Sequence, residues 1–162
     1  MTAALAPAPQ ALRLRPRVRR AVLTLHIVAS VGLLGDVAVI VAINVRAATT
    51  SDAQLAASAY ELLTMFPVLF GIPLSLTSLA TGLVLGLGSN WGVLRYLWVT
   101  TKLLLNVSVI LVGAFVIGPA TAAMADGRDG SDSVLILASS YDVVALVLAT
   151  GLAVFKPGRR WR

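Results

Sequence analysis

The run from Leu94 to Ile117, LRYLWVTTKLLLNVSVILVGAFVI, decides the fold. As a helix rising 1.5 Å per residue it reaches about 36 Å, more than the roughly 30 Å of a bilayer's hydrocarbon core. Past Arg95 its one charge is Lys102. Trp98 and Tyr96 sit near its start, together with Trp91 just before it, as interfacial aromatic residues do. A soluble core helix has no need of such length without a polar face, so the run reads as a membrane span.

Three further runs of the same kind flank it, at about 21–45, 59–87 and 133–155. Together they explain a chain of 162 residues that is 58% hydrophobic and 12% charged, with mean hydropathy +0.90. Soluble domains carry about twice that share of charge. The expected fold is therefore all-α: a polytopic membrane protein forming an antiparallel four-transmembrane-helix bundle. A basic, mobile N-terminal tail (residues 1–20) precedes the transmembrane domain (21–155), and a basic C-terminal tail (156–162) follows it. The first apolar run is too long for the 7–15 residues of a signal-peptide core, and it carries Asp36. Ser58 marks the expected start of the second span, and Gly118–Pro119 the end of the third. Pro67 and Pro73 are expected to kink or interrupt the second span, since each lacks a backbone donor.

Lys and Arg set the orientation. The N-tail holds five, the turn between spans two and three one, and the C-tail four, against one each in the other two loops (Arg46 and Arg128). Both termini are expected to be cytoplasmic, in a multi-pass plasma-membrane protein whose basic ends meet anionic lipid headgroups rather than nucleic acid. There is no cysteine, which removes disulfides and thiolate metal sites.

Each span carries one small or polar face. Thr64, Pro67, Gly71, Ser75, Ser78, Gly82 and Gly86 form a stripe along span two, and Ala138, Asp142, Ala145, Ala149 and Ala153 one along span four. His26, Ser30 and Asn44 share a face of span one with Asp36 at its edge, and Lys102 and Asn106 align in span three. In lipid, small residues and interhelical hydrogen bonds hold helices together, so these faces should turn inward. Asp36 and Asp142 lie about 12–13 Å below the outer span ends, and His26 and Lys102 about 8–12 Å from the inner ends. Ionisable groups at such depth cost about 3 kcal/mol or more each, which makes His26, Asp36, Lys102, Asn106 and Asp142 the candidate polar core.

The segments WGVLRYLWVTTKLLL and VFKPGRR, with LHIVASVGLLG in span one, resemble an uncharacterised bacterial (actinobacterial-type) family of four-span integral membrane proteins. The family carries WG-L-R-aromatic-W-V-K and Y/F-K-P motifs. On that resemblance Trp91, Gly92, Arg95, Trp98, Lys102, Lys156 and Pro157 are family positions, with His26, Gly32 and Gly35 in span one. Members often have histidine where this chain has Tyr96. There is also a distant likeness to copper-resistance membrane proteins. The resemblance implies the fold and no activity.

Two functions stay open. One is an accessory, assembly or oligomeric subunit packing against a membrane-protein partner or further copies, which short loops and small-residue seams favour. The other is a small-molecule or ion binding or transport component using the intramembrane Asp, Lys and His residues. A haem or copper role is a minor third, because a single histidine cannot give two-histidine ligation within one chain. No phosphate loop, nucleophile elbow or zinc-ligand spacing occurs, so the reading leans away from an enzyme and expects no cofactor.

Overall fold

The computed structural model describes residues 14–88, 96–128 and 130–156. Helix α1 spans Pro16–Thr49, α2 Ala53–Phe66, α3 Ile72–Leu87, α4 Leu97–Val112, α5 Gly118–Ala125 and α6 Asp132–Phe155. A π turn at Pro67–Gly71 joins α2 to α3, and a second at Gly113–Ile117 joins α4 to α5. The six helices thus make four rods, Pro16–Thr49, Ala53–Leu87, Leu97–Ala125 and Asp132–Phe155, each long and apolar enough to cross a membrane. An even number of rods brings Pro16 and Phe155 to the same end of the bundle, the terminal end. The turns after α1 and α5 form the loop end.

The rods run further than the sequence suggests. Span two begins at Ala53 and not at Ser58, because Asp52 caps it, its Oδ1 accepting from the backbone of Gln54 (2.9 Å) and Leu55 (3.2 Å). Gly118–Pro119 does not end span three. Gly118 N–H bonds back to Gly113 O, five residues away, and the widened turn lets Pro119 enter the next helical turn. A side chain at 118 would place its Cβ 3.2 Å from Gly113 O, so glycine fits there. Pro73 is accommodated in the same way. Ile72 N–H bonds to Pro67 O, and the rod continues through the π turn rather than breaking. At the other end of α6, Lys156 adopts a left-handed conformation (φ 43°) and closes the helix with its N–H on Leu152 O.

The surface is apolar and much of the interior is polar. Val31, Leu137, Phe115 and Val68 point outward, while Asn44, Ser78, Ser139 and Asp142 are buried. Water would reject that distribution; a bilayer requires it. Rod one packs against α3 and α6, α4 packs against α6, and spans two and three meet chiefly through α2 and α5 at the loop end. Two apolar clusters fill the gaps. Ile40, Ala47, Tyr60, Leu63, Ile117 and Leu135 lie toward the loop end, and Leu33, Val37, Val109, Ala145 and Leu146 lie below them.

The seam between α1 and α3 is the most polar. His26 Nδ1 stands 3.0 Å from Ser78 O and 3.0 Å from Thr81 Oγ1, and Ser30 Oγ bonds Ser78 Oγ at 2.9 Å. A carbonyl only accepts, so His26 Nδ1 carries the proton. The ring lies against Gly82, where a Cβ would come 3.1 Å from His26 Cε1. Gly82→Val should therefore push the ring out of its hydrogen bonds and cost about 1–3 kcal/mol of stability. Thermal unfolding in detergent checks this, and a Tm unchanged from wild type would contradict the close contact.

Candidate functional site

Contacts between rods fix which residues share a depth. In the α1–span-two pair, His26 meets Thr81, Ser30 meets Ser78, Gly32 faces Leu74, and Asp36 reaches Gly71. The Asp36 carboxyl thus lies beside the π turn, its Oδ2 3.6 Å from where a Cβ on Gly71 would stand. In the α4–α6 pair, Ser108 Oγ and Tyr141 Oη are 2.7 Å apart. With the helices antiparallel, Asp142 then comes level with Val107, beside Asn106. Rods one and four are locked by the two apolar clusters, and Asp36 and Asp142 both fall where these clusters meet. Asp36 thus contacts Gly71, while Asp142 and Asn106 lie at similar heights along rods four and three. Asp142 lies about 15 Å along α6 from its start and about 20 Å from its end, near mid-membrane.

These side chains are not satisfied internally. Asp36 is 8% exposed and Asp142 2%. Both side-chain oxygens of Asp36, Oδ1 of Asp142 and Oδ1 of Asn106 are buried without a hydrogen-bond partner among the described residues. Buried polar groups are nearly always paired, and an unpaired one costs about 1–3 kcal/mol, more if charged. The backbone beside Asp36 is also irregular. Pro73 has no N–H to give to the carbonyl of Leu69, and Ile72 gives its own to Pro67 instead of Val68. A carboxyl and a widened turn of the helical ladder thus meet at Gly71.

Asn44 belongs beside these residues, about 12 Å nearer the loop end than Asp36. It is 1% exposed, and neither its Oδ1 nor its Nδ2 has a partner among the described residues. The sequence places it on the face of His26 and Ser30 without marking it as a site residue; its complete burial comes from α1 and its neighbours closing over it. Tyr60 is a second such residue. It is buried, and its hydroxyl donates to Asp132 at the start of α6, tying span two to span four at the loop end.

The remaining candidates lie apart from the two carboxyls. His26 is engaged in the α1–α3 seam described above. Lys102 lies one turn below Asn106, partly buried and within electrostatic reach of His26. Among the described residues no carboxylate stands within ion-pair distance of it, and the one ion pair is Arg128–Asp126 at the surface. Lys102 and the two carboxyls thus lie at different heights along their rods. Of the motif positions, Trp98 lies in the first turn of α4 and Lys156 caps α6, while Trp91, Gly92, Arg95 and Pro157 lie outside the described residues. Among the described residues no three His, Cys, Asp or Glu side chains group as a metal-ligand set.

Residues 20–157 match the family described as "Predicted integral membrane protein (DUF2269)". That match speaks to an uncharacterised membrane family, and it extends neither to the motifs above nor to the copper-resistance likeness. No curated protein and no solved structure matches the chain.

Asn44 offers a direct check on the interior. If its amide has nothing to bind, Asn44→Leu, of similar volume, should raise stability by about 1–3 kcal/mol. Chemical or thermal unfolding of the detergent-solubilised chain reads the sign, and a loss of stability would mean that the amide is bonded.

Proposed function

The chain belongs to that family of integral membrane proteins, and on that premise we propose that it binds a small cation, a proton or a monovalent metal ion, at Asp36 and Asp142 as a binding or transport component. One observation carries the reading: two carboxyls within the bundle, each at least nine-tenths buried, with both oxygens of Asp36 and Oδ1 of Asp142 lacking a hydrogen-bond partner among the described residues. An ionised carboxylate at either position would lack water. A cation or proton removes that cost. Asn106 adds a neutral ligand oxygen from α4, and Gly71 leaves room beside Asp36. The π turn at Pro67–Gly71 leaves backbone carbonyls beside Asp36 without their usual helical donors, and such turns are frequent at functional sites.

The accessory-subunit reading draws support from the α1–α3 seam, where small residues and hydrogen bonds make a rigid interface. It gives the unpartnered carboxyls no role. For orientation, the excess of Lys and Arg beside the terminal end favours a cytoplasmic position for both termini, in the plasma membrane.

The test is ligand-linked stability. Purified protein in detergent should be unfolded thermally at constant ionic strength in sodium, potassium, lithium or N-methylglucamine chloride, and across a pH series. A ligand at a hundred times its Kd should stabilise by about 2.7 kcal/mol. Asp36→Asn and Asp142→Asn should each abolish that dependence while the proteins still fold. Wild-type stability indifferent to every cation and to pH would leave the accessory reading standing alone.

A further inference from the structure

Asp36 faces a stretch of span two that offers acceptors without donors. Ile72 N–H goes to Pro67 O, so Val68 O loses its usual helical partner, and Pro73, next in line, has no N–H to replace it. A helical carbonyl lies alongside the residue three positions on, which places Val68 O next to Gly71. The point where a Cβ on Gly71 would stand is 3.6 Å from Asp36 Oδ2 and 3.9 Å from Phe66 O. A carbonyl keeps a second lone pair even where its first accepts an N–H. The Asp36 carboxyl itself is 8% exposed, with neither oxygen hydrogen-bonded among the described residues. Oxygens of a carboxylate and of two carbonyls thus surround the place that a side chain at position 71 would fill.

The second π turn shows that proline alone does not make this arrangement. Gly113–Ile117 has the same pattern, with Gly118 bonded to Gly113 and Pro119 next. A Cβ at Gly118 would meet Gly113 O alone, and one at Gly113 would meet nothing within 4 Å. Accommodation of proline accounts for both turns. A buried carboxyl meets only the first.

We propose, resting on the reading of Asp36 as a cation site, that its ligand is a monovalent metal ion and not a proton, held at Gly71 by the Asp36 carboxylate and the carbonyls of Phe66 and Val68. A proton on Asp36 would make a buried O–H with no acceptor in hydrogen-bond reach among the described residues, and it would leave Val68 O unmet. A metal ion draws on several oxygens at once, with carbonyls replacing its water. Charge sets the valence. Asp36 brings one negative charge and the carbonyls none, so a monovalent ion leaves the set neutral, whereas a divalent ion would leave a net charge inside the membrane.

Thermal unfolding of the full chain in detergent, at fixed pH and ionic strength, tests the ion and its seat together. Stability should rise in sodium, potassium or lithium chloride relative to N-methylglucamine chloride. Gly71→Ala adds a methyl at ordinary contact distance, so the fold should persist in N-methylglucamine while the metal response disappears. Pro73→Ala restores a backbone donor within reach of Val68 O and should weaken metal binding about tenfold. Gly113→Ala, with open space around it, should keep the full response. An unchanged metal response in Gly71→Ala would overturn the proposal, since the ion would then sit elsewhere. So would stability that follows pH and ignores every metal ion, which would leave the cation reading standing as a proton site. Indifference to both would overturn the proposal and that reading together.

Infrared difference spectra identify the form of the carboxyl directly. Adding the metal to the wild type should change a carboxylate band, and Asp36→Asn should lack that change. A protonated-carboxyl band from Asp36 that persists unaltered in saturating metal would also overturn the proposal.

Discussion

The hydrogen-bonded register between α1 and span two is the constraint on which the rest depends. A helix pair in lipid gains little from burying leucine against leucine, so its alignment must come from polar pairs and close contacts. Here His26 against Ser78 and Thr81, Ser30 against Ser78, and the ring of His26 on Gly82 supply both. Once these are made, the antiparallel geometry leaves no freedom further along. Gly32 must face Leu74, and Asp36 must arrive at Gly71. The histidine thus acts at a distance, by setting where a carboxyl two to three turns away comes to rest.

The π turns follow from proline in a setting without water. A proline inside a regular helix removes one donor and crowds the carbonyl four residues back. In solution the chain can bend and let water bind what is exposed. In a bilayer it must keep as much of the ladder as possible. Widening a single turn does so, with Ile72 bonded to Pro67 and Gly118 to Gly113 while the rods continue. The cost is a local shortage of donors. In span two that shortage falls beside Asp36, so an adaptation to proline also shapes the candidate site.

Charge in the interior is arranged by depth. Asp36 and Asp142 are buried near mid-membrane, and Lys102 lies nearer the terminal end, too far along the axis for a direct pair in this arrangement. Apolar side chains of the lower cluster, Ala145 and Leu146 among them, lie between these levels. Opposite charges in a low-dielectric interior would collapse into an ion pair if the packing allowed it.

The sequence by itself determined that this chain is four apolar rods with one small or polar face each. Span length and hydropathy are local quantities, and helical periodicity reveals a stripe such as Ser75, Ser78 and Gly82 without any partner in view. It also gave Asp36, Asp142, Lys102 and His26 a height along their own rods, since a helix converts residue number into height. It misjudged the ends of spans two and three, where Asp52 and Gly118 act through hydrogen bonds that composition does not disclose. Only the tertiary structure decided which faces meet. It assigned His26 to a seam, buried Asn44 and Asp142, and set Asp36 beside Gly71. The physical reason is that register between rods depends on a few specific contacts between distant residues, and periodicity within a rod is blind to them.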